Sequence, residues 1–318
     1  MLIKKGTQGT NYYKDPEKES FRYNPYRKYN RVKAEESYKT NEILPFPLHV
    51  IIEVSSLCNL KCSFCNREVM TRPQKNMDME TFKKVVDECA ENRVHSLSLY
   101  CLGEPFLNPD LREMIIYAKG KGIPYVDVST NGMKDMTSVV GTGLDEIIVS
   151  LDGFKETHEK LRKGADFDLI VYNLSKLLNA RKDKDTIRPL IRIQIIDIPE
   201  TKDQIDDFIR LFQDFCDVVY VKNLEVFSQN LGDKNLPYQE IVTRLNNRVP
   251  CKQLWFVLTV NSDWSIAACC HDSEGKSILK SKTLKEAWGE IKDARERHRI
   301  GNYSDFNELC SQCTDWSW

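Results

Sequence analysis

No stretch of this chain approaches the ~20 consecutive apolar residues that a membrane-spanning helix needs. The opening segment, MLIKKGTQGTNYYKD, lacks the apolar core of a secretory signal, so the sequence predicts a chain that is not exported. Net charge is nearly absent: 46 basic residues stand against 47 acidic ones. A global electrostatic case for nucleic acid or an anionic membrane therefore fails, and neither is expected as a partner. Glycine and proline, 14 and 12 among 318 residues, are too few for a fibrous or low-complexity chain. A hydrophobic share of 41% is too high for disorder. What the chain does hold is eleven cysteines. They are too sparse for a disulfide-stapled mini-protein, and a cytoplasmic location, which we expect, would keep them reduced. They need another explanation.

Length over ~150 gives about two domains. Residues 1–45 are polar and tyrosine-rich, and up to residue 40 they carry ten Lys/Arg against five Asp/Glu. With no long apolar period, they read as an arm on the domain surface. A basic, aromatic substrate-binding arm is the sharper reading. From residue 47 short β-branched runs alternate with helical stretches. The strands are expected at 48–54, 96–100, 125–129, 146–150, 190–196 and 218–222. Helices are expected near 78–92, 110–121, 155–161, 166–182 and 201–215, with Asp78 and Asp166 as N-caps. Six βα units in series imply an α/β fold with a parallel sheet and right-handed crossovers, its chemistry at the strand ends. From Pro250 the composition shifts: the remaining residues hold all five tryptophans and five cysteines, a second, smaller module.

Directly after the first strand stand Cys58, Cys62 and Cys65, three thiols within eight residues. Thiolates at this density bind zinc or an iron–sulfur cluster. Structural zinc takes four protein ligands, and no fourth Cys or His is near. Three ligands suit a cubane with one iron left open. Near the C-terminus, Cys310-x2-Cys313 and two distant cysteines would make a four-thiolate site, which suits zinc or iron–sulfur equally.

Cys-x3-Cys-x2-Cys after strand one resembles the motif of the radical S-adenosylmethionine (SAM) enzymes, and the resemblance covers about residues 47–318. It implies a partial (β/α)6 TIM-like barrel over 46–235, following the 1–45 arm. It implies a [4Fe–4S] cluster on Cys58, Cys62 and Cys65, whose open iron takes the methionyl amino and carboxylate groups of SAM. Phe64 matches the family's aromatic near the adenine. Gly103 and Glu104 look like its Gly-Gly-Glu-Pro stretch, with Leu102 in place of the first glycine, and Glu104 would accept from the SAM ammonium. Ser129 and Asn131 belong to a Val-Ser-Thr-Asn-Gly strand end that members often carry. Ser150 and, twelve residues on, Arg162 match a Ser/Arg pair that binds SAM. The tail, 250–318, resembles the SPASM/Twitch module, which in its short Twitch form holds one auxiliary [4Fe–4S] cluster. Its ligands would be Cys251, Cys269, Cys310 and Cys313, with Cys270 as the alternative to Cys269.

The implied cofactors are two [4Fe–4S] clusters and SAM, with a flavodoxin- or ferredoxin-like electron donor. The implied reaction is hydrogen-atom abstraction from a small polar substrate, a sugar or aminocyclitol, after which the substrate radical loses a proton and passes its electron to the auxiliary cluster, a two-electron oxidation overall. Arg192, sharing one strand face with Gln194, is the candidate base at the barrel mouth. An epimerase would instead use a thiol as hydrogen donor, and Cys101, at the end of strand two, is the thiol placed for it. Maturation of a ribosomal peptide is a third reading. A non-catalytic zinc-binding protein is the reading from a different class.

Overall fold

The structure, a computed structural model, describes residues 2–6, 9–13, 25–40, 42–223, 250–272, 277–279, 281–303, 310 and 313. In chain order it begins with a hairpin, β1 (Leu2–Gly6) and β2 (Gly9–Tyr13), and a helix, α1 (Pro25–Thr40). There follow β3 (His49–Ile52), a short β4 (Lys61–Cys62), α2 (Met79–Glu91), β5 (Ser96–Ser98), α3 (Leu111–Gly120), β6 (Tyr125–Thr130) and β7 (Glu146–Ser150). Then come α4 (Lys155–Leu161), β8 (Arg162–Lys163), α5 (Phe167–Asp183), β9 (Leu190–Asp197), α6 (Ile205–Phe212) and β10 (Val218–Asn223). The tail supplies β11 (Val257–Val260), β12 (Ile266–Ala267), β13 (Ile278–Leu279), α7 (Leu284–Glu290) and α8 (Lys292–Arg299).

The helices form where sequence and capping agree. The Asp78 carboxylate accepts from the Thr81 N–H at 2.7 Å, and Phe82, Val85, Val86 and Cys89 recur at helical spacing to bury one face of α2. Asp166 caps α5 in the same way, accepting from Leu169 N–H.

Six strands, β3, β5, β6, β7, β9 and β10, lie side by side in that order, all parallel. Each strand presents alternate residues to opposite faces. One face carries Val50, Leu97, Val126, Val128, Ile147, Val149, Ile191, Ile193 and Ile195, all fully buried. The other face is largely polar, carrying His49, Ser96, Ser98, Asp127, Ser129, Glu146, Ser150, Arg192 and Gln194 among a few apolar residues such as Ile51 and Ile148. The core sits between sheet and helices, and the polar face lines the barrel interior. This is the α/β partial-barrel architecture that the strand order requires.

Two features at the sheet edges differ from the sequence reading. The N-terminal segment is no mere surface arm: β2 pairs antiparallel with β10 and extends the sheet. Its tyrosines dock α1, with Tyr26 and Tyr29 against the His95 ring and Tyr38 edge-on to Trp255 at 5.4 Å. At the other edge β11 pairs parallel with β3, so the cysteine-rich tail continues the same sheet. Residues 14–24, the join expected between 235 and 250, and Trp316 and Trp318 lie outside the described residues. No helix among the described residues is long and apolar enough to cross a membrane.

Candidate active site

The loop after β3 carries Cys58, Cys62 and Cys65, and its shape is set by close backbone contacts. At Gly103 an added Cβ would stand 2.0 Å from the Ser55 carbonyl oxygen, so only glycine lets the 101–104 loop lie against the cysteine loop. The Glu104 N–H then donates to the Leu57 carbonyl at 2.7 Å. On the other side β4 and β8 form a two-residue antiparallel ladder that sets Cys62 opposite Arg162.

These contacts enclose a cavity of about 230 Å³. Its walls include Cys58, Cys62 and Cys65 together with Phe64, Gly103, Glu104, Ser129, Asn131, Ser150 and Arg162. Cys101 also lines it, as does His271 from the tail. The ends of β3, β5, β6 and β7, the β4–β8 ladder and the tail thus meet around one space.

Glu104 is buried and accepts from Thr130 Oγ1 at 2.7 Å, Asn131 N–H at 2.7 Å and Phe106 N–H at 3.1 Å. Burial raises its pKa against the pull of those donors. A carboxylate has about four acceptor sites, so one remains for a ligand donor. Arg162 donates through Nε to Asp152 at 2.7 Å, lies 5.3 Å over the Phe64 ring, and has a terminal nitrogen 3.9 Å from Cys62 Sγ. Asp152 also accepts from the Ile196 N–H, which ties Arg162 to two strand ends. Asn131 Nδ2 bonds Asn59 at 2.9 Å and reaches Cys58 Sγ at 3.9 Å. Burial pushes the Cys62 thiol up to about 11, opposed by Arg162, and raises that of Cys58. These thiols become thiolates on binding a metal, which releases their protons.

In the tail the Cys251 thiol is pushed well above its ordinary value, first by burial and then by the neighbouring Cys313, Cys269 and Cys310. Cys313, Cys269 and Cys310 are each within electrostatic reach of Cys251. The Cys269 thiol is lowered to about 7, chiefly by a hydrogen bond from Cys270, and its sulfur accepts from the His271 N–H at 3.4 Å. Cys270 Sγ lies 3.6 Å from Gln253 Oε1. Among the described residues no three Cys, His, Asp or Glu side chains converge as around a single ion.

Arg192 requires a correction. It is not at the barrel mouth. It lies near the start of β9, 3% exposed, bonded through Nε to Glu146 at 2.6 Å and through a terminal nitrogen to Asn11 at 2.8 Å. Its neighbour Glu146 opens β7, at the end of the sheet away from the cysteine loop. A buried guanidinium held by a carboxylate is no base for a substrate in this cavity. His271, in contrast, had no role in the sequence reading. The only signal for it was its place in the run Cys269-Cys270-His271-Asp272. Cys101 is placed in the cavity wall, where its Sγ donates to the Cys270 carbonyl at 3.3 Å.

The model of the radical SAM superfamily matches residues 52–212. The tungsten-containing aldehyde ferredoxin oxidoreductase cofactor-modifying protein of Pyrococcus furiosus is 24% identical over 184 residues, 55% of this chain and 51% of that relative. The chain spans about half the length of the curated relatives it matches. Among solved structures, BtrN in complex with AdoMet and 2-DOIA has a TM-score of 0.52 at 15% identity, covering 83% of this chain and 92% of that one. SuiB of Streptococcus suis bound to precursor peptide SuiA has a TM-score of 0.55 at 17% identity, covering 84% of this chain and 70% of that one. At these identities the structural likeness concerns the fold.

Proposed function

The chain belongs to the radical SAM superfamily, and from that premise we propose that it oxidises a small polar substrate, a sugar or aminocyclitol, by two electrons. Cys58, Cys62 and Cys65 would hold the [4Fe–4S] cluster, and the residues around them fit SAM. Glu104 keeps one acceptor site for an ammonium donor, and the Arg162 fork, already steadied by Asp152, suits a carboxylate. Bound there, cluster and SAM would supply a 5′-deoxyadenosyl radical; the protein orients the reactants and excludes water.

One observation carries the oxidation reading. The tail segment holding Cys269 also forms part of the cavity wall. His271 lines the cavity while its N–H bonds Cys269 Sγ, and Cys101 bonds the carbonyl between them in sequence. Cys251, Cys269, Cys310 and Cys313 would hold a second cluster with no open iron. An electron acceptor there would stand one residue's width behind the substrate wall. That placement supports oxidation over a purely structural role for the tail.

Epimerisation is favoured by a separate fact. Burial, reinforced by Glu53, holds the Cys101 thiol well above its ordinary pKa, so it stays an S–H in the cavity wall. A hydrogen-atom donor must keep its hydrogen. Turnover in deuterated water decides between the two. Oxidation predicts a product with no solvent deuterium on carbon and an unchanged product from Cys101→Ala. Carbon-bound deuterium that vanishes in Cys101→Ala would overturn oxidation in favour of epimerisation.

A further inference from the structure

The polar interior face of the barrel has two layers that differ in how their hydrogen bonds are used. In the deeper layer most of the groups are bonded to one another. His49 Nδ1 and Ser96 Oγ lie 2.7 Å apart, and Ser98 Oγ donates to Asp127 at 2.9 Å. Tyr125 O–H donates to Glu146 at 2.9 Å, and Glu146 also takes Arg192, which in turn reaches Asn11. Such a network is a floor, most of whose groups are held by other protein groups.

In the upper layer, toward the cysteine loop, stand Ser129, Ser150 and Gln194. Among the described residues none of these three side chains makes a hydrogen bond. Ser129 and Ser150 line the cavity. Gln194 is the direct register partner of Ser150 on the adjacent strand. Neighbouring strands lie ~4.8 Å apart, so the amide stands one strand spacing from the cavity wall, on the same face. Gln194 is half-buried, unlike its fully buried neighbours Ile193 and Ile195. Arg192 and Gln194 share a face, and two residues along the strand separate a consumed group from an open one.

We propose that Gln194 is a specificity-determining substrate contact, and that the substrate is a neutral molecule bearing adjacent hydroxyl groups. A primary amide offers donors and an acceptor side by side, which match a vicinal pair of hydroxyls, one accepting and one donating. Charge on the substrate is disfavoured on these strands. Arg192 already holds Glu146, and Arg162, whose Nε holds Asp152, is committed in this reading to the SAM carboxylate, so a charged substrate group brought into the interior lacks a partner. The inference rests on the radical SAM reading of the cavity and narrows its substrate class to the neutral sugar or polyol, setting the charged aminocyclitol aside.

The test uses the full chain, reconstituted anaerobically and saturated with SAM. Calorimetric titration measures binding of myo-inositol, N-acetylglucosamine, glucose 6-phosphate and an alanine-rich peptide. The expected result is binding of a neutral polyol, weakened at least tenfold by Gln194→Ala with SAM affinity unchanged. Gln194→Glu, which keeps the shape and loses the donors, is also expected to bind the polyol weakly. Preference for the phosphate or the peptide, no polyol binding, or equal polyol binding by Gln194→Ala would each overturn the inference. A wild-type protein that takes up neither iron nor SAM would instead overturn the underlying reading.

Discussion

Gly103 shows how one missing methyl shapes the site. The 2.0 Å approach to the Ser55 carbonyl leaves no room for a side chain, and the obstacle is backbone. Gly103→Ala is expected to cost about 1–3 kcal/mol as overpacking, seen as a lower urea midpoint, and to weaken SAM binding because the loop carrying Glu104 must move. His158 gives a prediction in pH. It is fully buried and accepts from the Asp152 N–H at 3.0 Å, and burial, with Arg162 second, lowers its pKa to about 3. The unfolded value is ~6.5. Between these values the unfolded chain binds the extra proton, so stability rises with pH there. The contribution is complete above pH ~6.5 and is lost as pH falls toward 3. His158→Gln should flatten that slope. Equal slopes in wild type and variant, measured by urea unfolding at pH 7 and pH 5, would contradict this.

Elements carry the next level of the account. The α2 N-cap was visible as Asp78 ahead of Met79-Glu80-Thr81-Phe82, and the structure bonds its carboxylate to the Thr81 N–H and hydroxyl. Asp78→Ala should cost about 1 kcal/mol, read as a shift in unfolding midpoint at unchanged slope. The six strands and their helices were legible because apolar periodicity and β-branched runs are local signals. The cysteine loop was legible because its spacing is local too. The β1–β2 hairpin was not. Its residues are largely polar, and it is a strand pair because β10 offers an open edge. Arg192 was misplaced for a related reason. Alternation gives the face of a strand residue, but its depth along the barrel depends on pairing with Glu146 and Asn11. His271 went unassigned because a lone histidine beside cysteines carries no pattern, and its place in the wall is set by how the tail folds back.

At the scale of the whole molecule, the tail and the barrel are joined by a buried polar knot as well as by the sheet. Arg72 grips both oxygens of Glu53 at 2.7 and 2.5 Å, and Glu53 also accepts from the Ser262 N–H and hydroxyl. Removing one partner leaves a buried charge, so Arg72→Met should destabilise by about 3–5 kcal/mol, a loss measurable by urea unfolding of the unreconstituted chain. The two thiol sets should load separately. Wild type is expected to take up about eight irons per chain, and Cys251→Ala with Cys313→Ala about four, since each cubane holds four irons. Iron analysis of reconstituted protein checks this, and colourless protein holding two zincs would contradict it. The most direct measurement is whether 5′-deoxyadenosine forms when the reconstituted protein is incubated anaerobically with SAM and a reductant. The account predicts that it forms and is abolished by Cys62→Ala. Iron-loaded protein that never yields it, or that yields as much with Cys62 replaced, would contradict the account.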